Sequence, residues 1–169
     1  DFSTIRHDGY FYADKTMFLP ILERPESGYA YLVFLRPRRF GKSTLVSMLA
    51  HYYDINRKDQ FDALFGGLWI HEHPTPERNS YLILSFDFSQ VVTSRGEDAL
   101  FRTFFEAILI SVKRFVSAYR EHVPELRHLE ERLPTFEDPE ALSTALLGLI
   151  SSTSHKIYLL IDEYDHFAN

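Results

Sequence analysis

Residues 36–44 read Arg36-Pro37-Arg38-Arg39-Phe40-Gly41-Lys42-Ser43-Thr44. Before them, residues 30–35 (Ala-Tyr-Leu-Val-Phe-Leu) form a continuous apolar run, as expected for a strand buried on both faces. After them, residues 42–53 place Leu45, Met48, Leu49 and Tyr52 on one helical face. Strand, loop and helix in that order frame the pattern Gly-x-x-x-x-Gly-Lys-Ser/Thr of a phosphate-binding loop. Gly41, Lys42 and Ser43 fit it, while Arg36 stands where the first glycine belongs. A glycine at position 41 lets backbone approach an anion with no Cβ in the way. Amide groups at a helix start, aided by the helix dipole, point at that anion. Lys42 would reach the β- and γ-phosphates, and the Ser43 hydroxyl would ligate Mg²⁺. Arg36, Arg38, Arg39 and Lys42 put four cations into seven residues, a repulsive cluster that a polyphosphate neutralises. A competing reading gives these arginines to a nucleic-acid backbone.

Outward from the loop, the spacing of apolar residues predicts an α/β fold. A second strand is expected over 81–88, and a third over 156–161 ending at Asp162-Glu163. A long helix is expected from Glu97 to Tyr119, with Phe101, Phe104, Phe105, Ile108, Val112, Phe115, Val116 and Tyr119 on one stripe. Asp138-Pro139 reads as an N-cap and first helical residue, opening a helix that buries Leu142, Leu146, Leu149 and Ile150. Residues 57–80, with Gly66, Gly67, Pro74 and Pro76, read as an irregular excursion. Residues 120–140 read as a solvated, partly helical one. Strands alternating with helices imply a mainly parallel sheet sandwiched by helices.

Composition narrows the chemistry. The 169 residues suit one domain, and 15% aromatic residues can fill its core. The net charge of −6 argues against non-specific coating of nucleic acid, though not against a local basic site. With no cysteine there is no disulfide, thiolate metal site or cysteine nucleophile. That is consistent with a reducing, cytoplasmic home. No apolar run approaches the ~18 residues a membrane-spanning helix needs, so no membrane is expected as partner. The sequence begins without Met or a signal peptide and stops soon after the acidic pair, so both ends read as cut.

The acidic pair completes the argument. In phosphoryl-transfer enzymes with such a loop, an Asp at a strand end holds Mg²⁺; here that is Asp162. The adjacent Glu163 would polarise the attacking water as a general base. Glu163 directly after Asp162, and the lack of an Asn-Lys-x-Asp motif, favour ATP over GTP. Asp87, at the end of the second strand, would face the same sheet edge, with capping the simpler role. The Tyr10-Phe11-Tyr12-Ala13-Asp14-Lys15-Thr16 block offers aromatics that either stack on adenine or lid the core. His71-Glu72-His73 lacks a third ligand at zinc spacing and reads as surface loop. His166 reads as a loop histidine.

The segment Phe34 to Ser43, Ile5-Arg6, the Gly9 to Thr16 block, Asp87-Phe88-Ser89 and Asp162-Glu163-Tyr164-Asp165 together resemble the AAA-ATPase-like domain family, found mostly in bacteria. The resemblance spans nearly the whole chain, with the motifs in family order. In that family an Arg at the first loop position is normal, so Arg36 fits. The resemblance implies a P-loop ATPase core over 1–169, with ATP and Mg²⁺ as ligands and hydrolysis as the reaction. It also implies a longer parent that can carry a C-terminal nuclease-like domain of the PD-(D/E)xK type, and nucleic acid as a partner through that domain. The branch with a catalytic Glu has a further central strand, later in the chain, bearing a polar sensor residue. A core truncated after the acidic strand is therefore expected, lacking that strand, the sensor and the arginine finger. The rivals are a nucleotide-gated scaffold without turnover, a phosphotransferase and a nucleic-acid-binding domain.

Overall fold

The computed structural model describes residues 1–24, 32–35 and 40–164. Arg36, Pro37, Arg38 and Arg39, the start of the expected first strand, and His166 lie outside the described residues. The chain divides into two compact units, Asp1–Tyr81 and Leu82–Asn169.

The first unit is helical. Helix α1 (Phe2–His7) is capped by Asp1, whose carboxylate accepts from the Ser3 N–H at 2.9 Å. A 3-10 turn (Thr16–Phe18) runs into α2 (Leu19–Leu22), and α3 spans Lys42–Tyr53. The expectation of an irregular 57–80 is corrected: a 3-10 segment (Ile55–Gln60) leads into α4 (Phe61–Phe65), and α5 follows at Trp69–Glu72. The reason is local burial. Phe61, Leu64, Phe65, Leu68 and Ile70 are core residues that short helical turns aim inward, and Gly66 merely ends α4. Phe2, Tyr52 and Phe65 meet in this core, with Phe2–Phe65 centroids 5.1 Å apart and Tyr52–Phe65 edge to face at 5.5 Å. Arg6 binds the end of α4, donating from Nε to the Leu64 carbonyl at 2.7 Å and from Nη2 to that of Gly66 at 2.6 Å. It thereby satisfies carbonyls that a helix end leaves without intrahelical donors.

The expected first strand is also corrected. Residues 32–35 belong to no strand, and Leu35 is 74% exposed. Hydrophobicity recommends a strand but supplies no pairing partner, and a strand exists only through its neighbour's backbone groups.

The second unit holds the sheet. Strands β1 (Tyr81–Asp87) and β2 (Lys156–Asp162) pair in parallel, connected through α6 (Glu97–Tyr119), α7 (Glu125–Arg132) and α8 (Pro139–Ser152). The bounds of α6 agree with the sequence expectation. Its stripe is buried over Val112, Phe115, Val116 and Tyr119, whereas Phe101 is 54% exposed. Tyr119 also accepts the Ile83 N–H on its hydroxyl at 3.0 Å, tying the helix end to β1. The Asp138 cap forms as expected, its carboxylate accepting from the Ala141 N–H at 2.8 Å. Leu142, Leu146 and Leu149 are buried on α8, but Ile150 is exposed, one residue off the buried row.

Candidate nucleotide site

In the first unit the site is built around the start of α3. Gly41 caps the helix with φ +79° and ψ +23°, and its carbonyl accepts the Leu45 N–H at 2.9 Å. That left-handed conformation is what selects glycine there. An added Cβ would meet no atom of the described residues within 4 Å. Lys42 and Ser43 follow in the first turn, Ser43 exposed and Lys42 and Thr44 partly so. A helix start presents N–H groups without intrahelical acceptors at the positive end of its dipole, the general geometry of an anion site.

Against this start lies a cavity of about 170 Å³. Among the described residues it is lined by Gly41, Thr44 and Leu45 of the helix start and by Phe11, Tyr12, Ala13, Lys15, Phe34 and Phe40. The aromatic block thus divides. Phe11 is 92% exposed, while Tyr12 packs edge to face on Phe2 at 5.1 Å. Burial, with help from the Asp14 carboxylate, pushes the Tyr12 hydroxyl up to about 12, so it stays protonated at neutral pH.

Asp14 anchors the block. Its Oδ1 accepts from the Thr16 N–H at 2.8 Å and the Thr16 hydroxyl at 2.7 Å, and its Oδ2 accepts from the Trp69 N–H at 2.7 Å. Thr16 Oγ1 in turn accepts from the Ile70 N–H at 3.1 Å. Burial acts to raise the Asp14 carboxyl, but the bonds from Trp69 and Thr16 outweigh it, with a smaller contribution from Arg6. The net result lies below the ordinary value. The sequence reading missed this role. The signal was available as Asp14-x-Thr16, the spacing of an Asx turn.

In the second unit the carboxyl ends of β1 and β2 lie at one sheet edge, where ligands of open α/β sheets bind. Asp87 and Asp162 end these strands. The Asp87 carboxylate accepts the Ser89 N–H at 2.9 Å, the capping role anticipated for it. Asp162 Oδ1 accepts the Glu163 N–H at 3.0 Å. Glu163 holds φ +55°, a left-handed conformation that costs a non-glycine residue about 1–2 kcal/mol. Such strain gathers at functional sites.

His71-Glu72-His73 is corrected from loop to helix. His71 and Glu72 lie in α5 and His73 caps its end. The His71 ring stacks on Phe61 and its Nε2 meets Asp62 Oδ1 at 3.0 Å; the His73 ring stacks on Trp69 at 4.3 Å. Among the described residues no group of His, Asp and Glu could hold a metal ion by itself. No helix among them is long and apolar enough to cross a membrane.

A family model described as "Predicted AAA-ATPase" matches residues 1–169. The chain belongs to this family. Membership accords with the Gly41-Lys42-Ser43 helix start and supports an ATPase at the level of the family's description. An Azotobacter chroococcum mcd 1 protein, printed as "Uncharacterized protein in vnfD 5'region", is 39% identical over 87 residues. The match covers 50% of this chain and 15% of that relative's length. No solved structure matches the chain.

Proposed function

We propose that this chain is the nucleotide-binding part of a Mg²⁺-dependent ATPase with a P-loop core. The observation that carries the reading is Gly41 in the left-handed conformation, opening α3 directly before Lys42 and Ser43. Lys42 binds the β- and γ-phosphates, and the amides at the start of α3 cradle them. Arg36, Pro37, Arg38, Arg39, Phe40, Gly41 and Thr44 complete the loop by sequence. The donor set suits Mg²⁺, a hard cation that prefers oxygen. Ser43 offers an exposed hydroxyl, and Asp162 a carboxylate whose Oδ1 accepts the Glu163 N–H; each is assigned to the ion from its chemistry and from the family. Bound Mg²⁺ supplies neutralisation of developing phosphate charge. Glu163 serves the same nucleotide by orienting and deprotonating water. Asp162 and Glu163 are assigned to that nucleotide from their chemistry at a strand end and from the family. In the longer protein we assign hydrolysis to driving a partner domain of the nuclease-like kind, in the cytoplasm, with a later strand supplying the sensor.

The test is calorimetry of Mg·ATP and Mg·GTP on the chain and on Lys42→Ala. ATP binding weakened about ten-fold or more by Lys42→Ala is expected, in line with the loss of charge-assisted bonds. Equal binding by the variant would remove the reading. Turnover is read on the intact parent with Glu163→Gln, which should keep binding and lose hydrolysis.

A further inference from the structure

In the second unit, α6 and α7 place charges on their exposed faces, among them Arg102, Glu106 and Lys113 on α6 and Glu125, Arg127 and Glu131 on α7. Helix α8 does not. From Ala141 to Ser154 there is no Asp, Glu, Lys, Arg or His, yet Leu147 is 63% exposed and Ile150 42%. A helix face that stays in water ordinarily carries charged or polar groups. The serines beside Leu147 do little to replace them. Ser143 donates from Oγ to the Glu140 carbonyl and Ser151 from Oγ to the Leu147 carbonyl, both at 2.9 Å. With these hydroxyl protons bonded inside the helix, covering the face strands no donor. Gly148 is a further sign. Glycine within a helix is less stable than alanine, and a Cβ here would meet no atom of the described residues within 4 Å. The described contacts give that glycine no use, whereas a neighbouring backbone in close approach does.

We propose that this face is covered by the same face of a second copy of the chain, the two α8 helices crossing antiparallel at Leu147. The charge pattern selects this occupant. In a two-fold contact each residue near the axis meets its own copy, so any charge there meets its like. A face free of charge is what self-pairing requires, whereas a charged partner would be matched by opposite charges. The spacing is also self-complementary. Ser143 and Ser151 stand one turn to either side of Leu147, so about a two-fold axis at Leu147 each serine faces the other's counterpart. Thr144 likewise faces Ile150, and the antiparallel helix dipoles attract. A face one helix long is small beside the ~1,200–2,000 Å² of a standard stable interface, so the pairing is weak and shows at high protein concentration.

The experiment uses the absence of cysteine from the chain: a single introduced thiol can bond only to its copy. Leu147→Cys is compared with Glu131→Cys, which puts a thiol on the exposed, charged face of α7. Under mild oxidant Leu147→Cys should form the covalent dimer at least about ten-fold faster, because the crossing brings its two sites within disulfide reach. Sedimentation velocity over a concentration series supplies the second measurement. Wild type should dimerise reversibly, and Leu147→Lys, which sets like charges at the axis, should weaken dimerisation about ten-fold or more. Leu147 is exposed, so both variants should fold, checked by an unchanged far-UV spectrum. Equal cross-linking rates at 147 and 131 would overturn the proposal. So would a wild type that stays monomeric at every concentration, or a dimer that Leu147→Lys leaves as strong. If the intact parent is monomeric yet shields a thiol at 147 from maleimide, the rest of the polypeptide covers this face and the second copy is wrong.

Discussion

Replacing Asp14 with Ala tests whether the N-terminal block is held by chemistry or merely lies on the core. Asp14 accepts three hydrogen bonds, two from Thr16 and one from the Trp69 N–H, at 2.7–2.8 Å. Bonds to a charged group contribute about 1.5–3 kcal/mol each when buried. Here the Thr16 pair is only part-buried and the Trp69 bond is exposed, so water replaces much of what is lost. The expected cost is therefore about 2–4 kcal/mol, not the full sum. Asn at this position keeps one carbonyl oxygen, able to serve the Thr16 pair or Trp69 but not both, and should cost about half as much. The readout is built in: Trp69 is the single tryptophan of the chain, and its own amide is one of the donors. Urea unfolding followed by Trp69 fluorescence reports on the first unit, with the midpoint read at constant slope. The Ala variant should also release the Trp69 and Thr16 amides to faster hydrogen exchange. A midpoint shift worth less than about 0.5 kcal/mol, the range of ordinary surface substitutions, would refute the anchor.

Three further outcomes are expected. His51 is held down to about 4, chiefly by burial and then by Arg57, and its Nδ1 is buried without a partner among the described contacts. The folded state thus prefers the neutral ring. Stability is full above the ordinary 6.5, falls as pH drops from there to about 4, and is flat with respect to this group below. The loss should reach roughly 2–3 kcal/mol by Trp69-monitored unfolding at pH 7 and 4.5, and His51→Gln should flatten it. Gly41→Ala meets no atom of the described residues within 4 Å, and the backbone strain of its left-handed conformation is expected to cost about 1–2 kcal/mol. Gly41→Ser should match it, and a much larger loss for Ser would show a crowded site instead. Glu163→Gly should stabilise the second unit by up to about 1 kcal/mol in exchange-monitored unfolding, since it relieves the strain at φ +55° less the chain entropy of glycine. Destabilisation would mean the left-handed turn is not strained.

Much of the fold was legible where one physical signal dominated. The bounds of α6 followed from a long 3.6-residue period, and α8 from Asp138-Pro139, whose cap is local chemistry independent of tertiary context. Failures came where a signal needs a partner to act. Residues 32–35 are as apolar as any strand, yet sequence hydrophobicity cannot say which backbone they pair with, and here they pair in no strand. In 57–80 the glycines and prolines mark turns, but the helices between them are four and five residues long, too short to show a period. Phe101 extends the α6 stripe in sequence but not in burial, because periodicity gives a helix its apolar face without saying how far along the helix that face is covered.

The candidate site divides in the same way, and its two backbone exceptions explain why. At Gly41 the residue type and the conformation agree: a left-handed position carries glycine, so the sequence announces the turn. At Glu163 they disagree. The position calls for glycine or asparagine, yet a glutamate occupies it and no sequence rule predicts the turn. A carboxylate at a left-handed strand end lowers stability relative to glycine, and nothing in its described contacts returns that cost. The Glu163 N–H bond to Asp162 Oδ1 is a backbone bond that glycine would make equally well. What glycine lacks is the carboxylate itself. A residue that the fold would not choose, next to an aspartate that accepts from its amide, is what the general-base role proposed for Glu163 calls for.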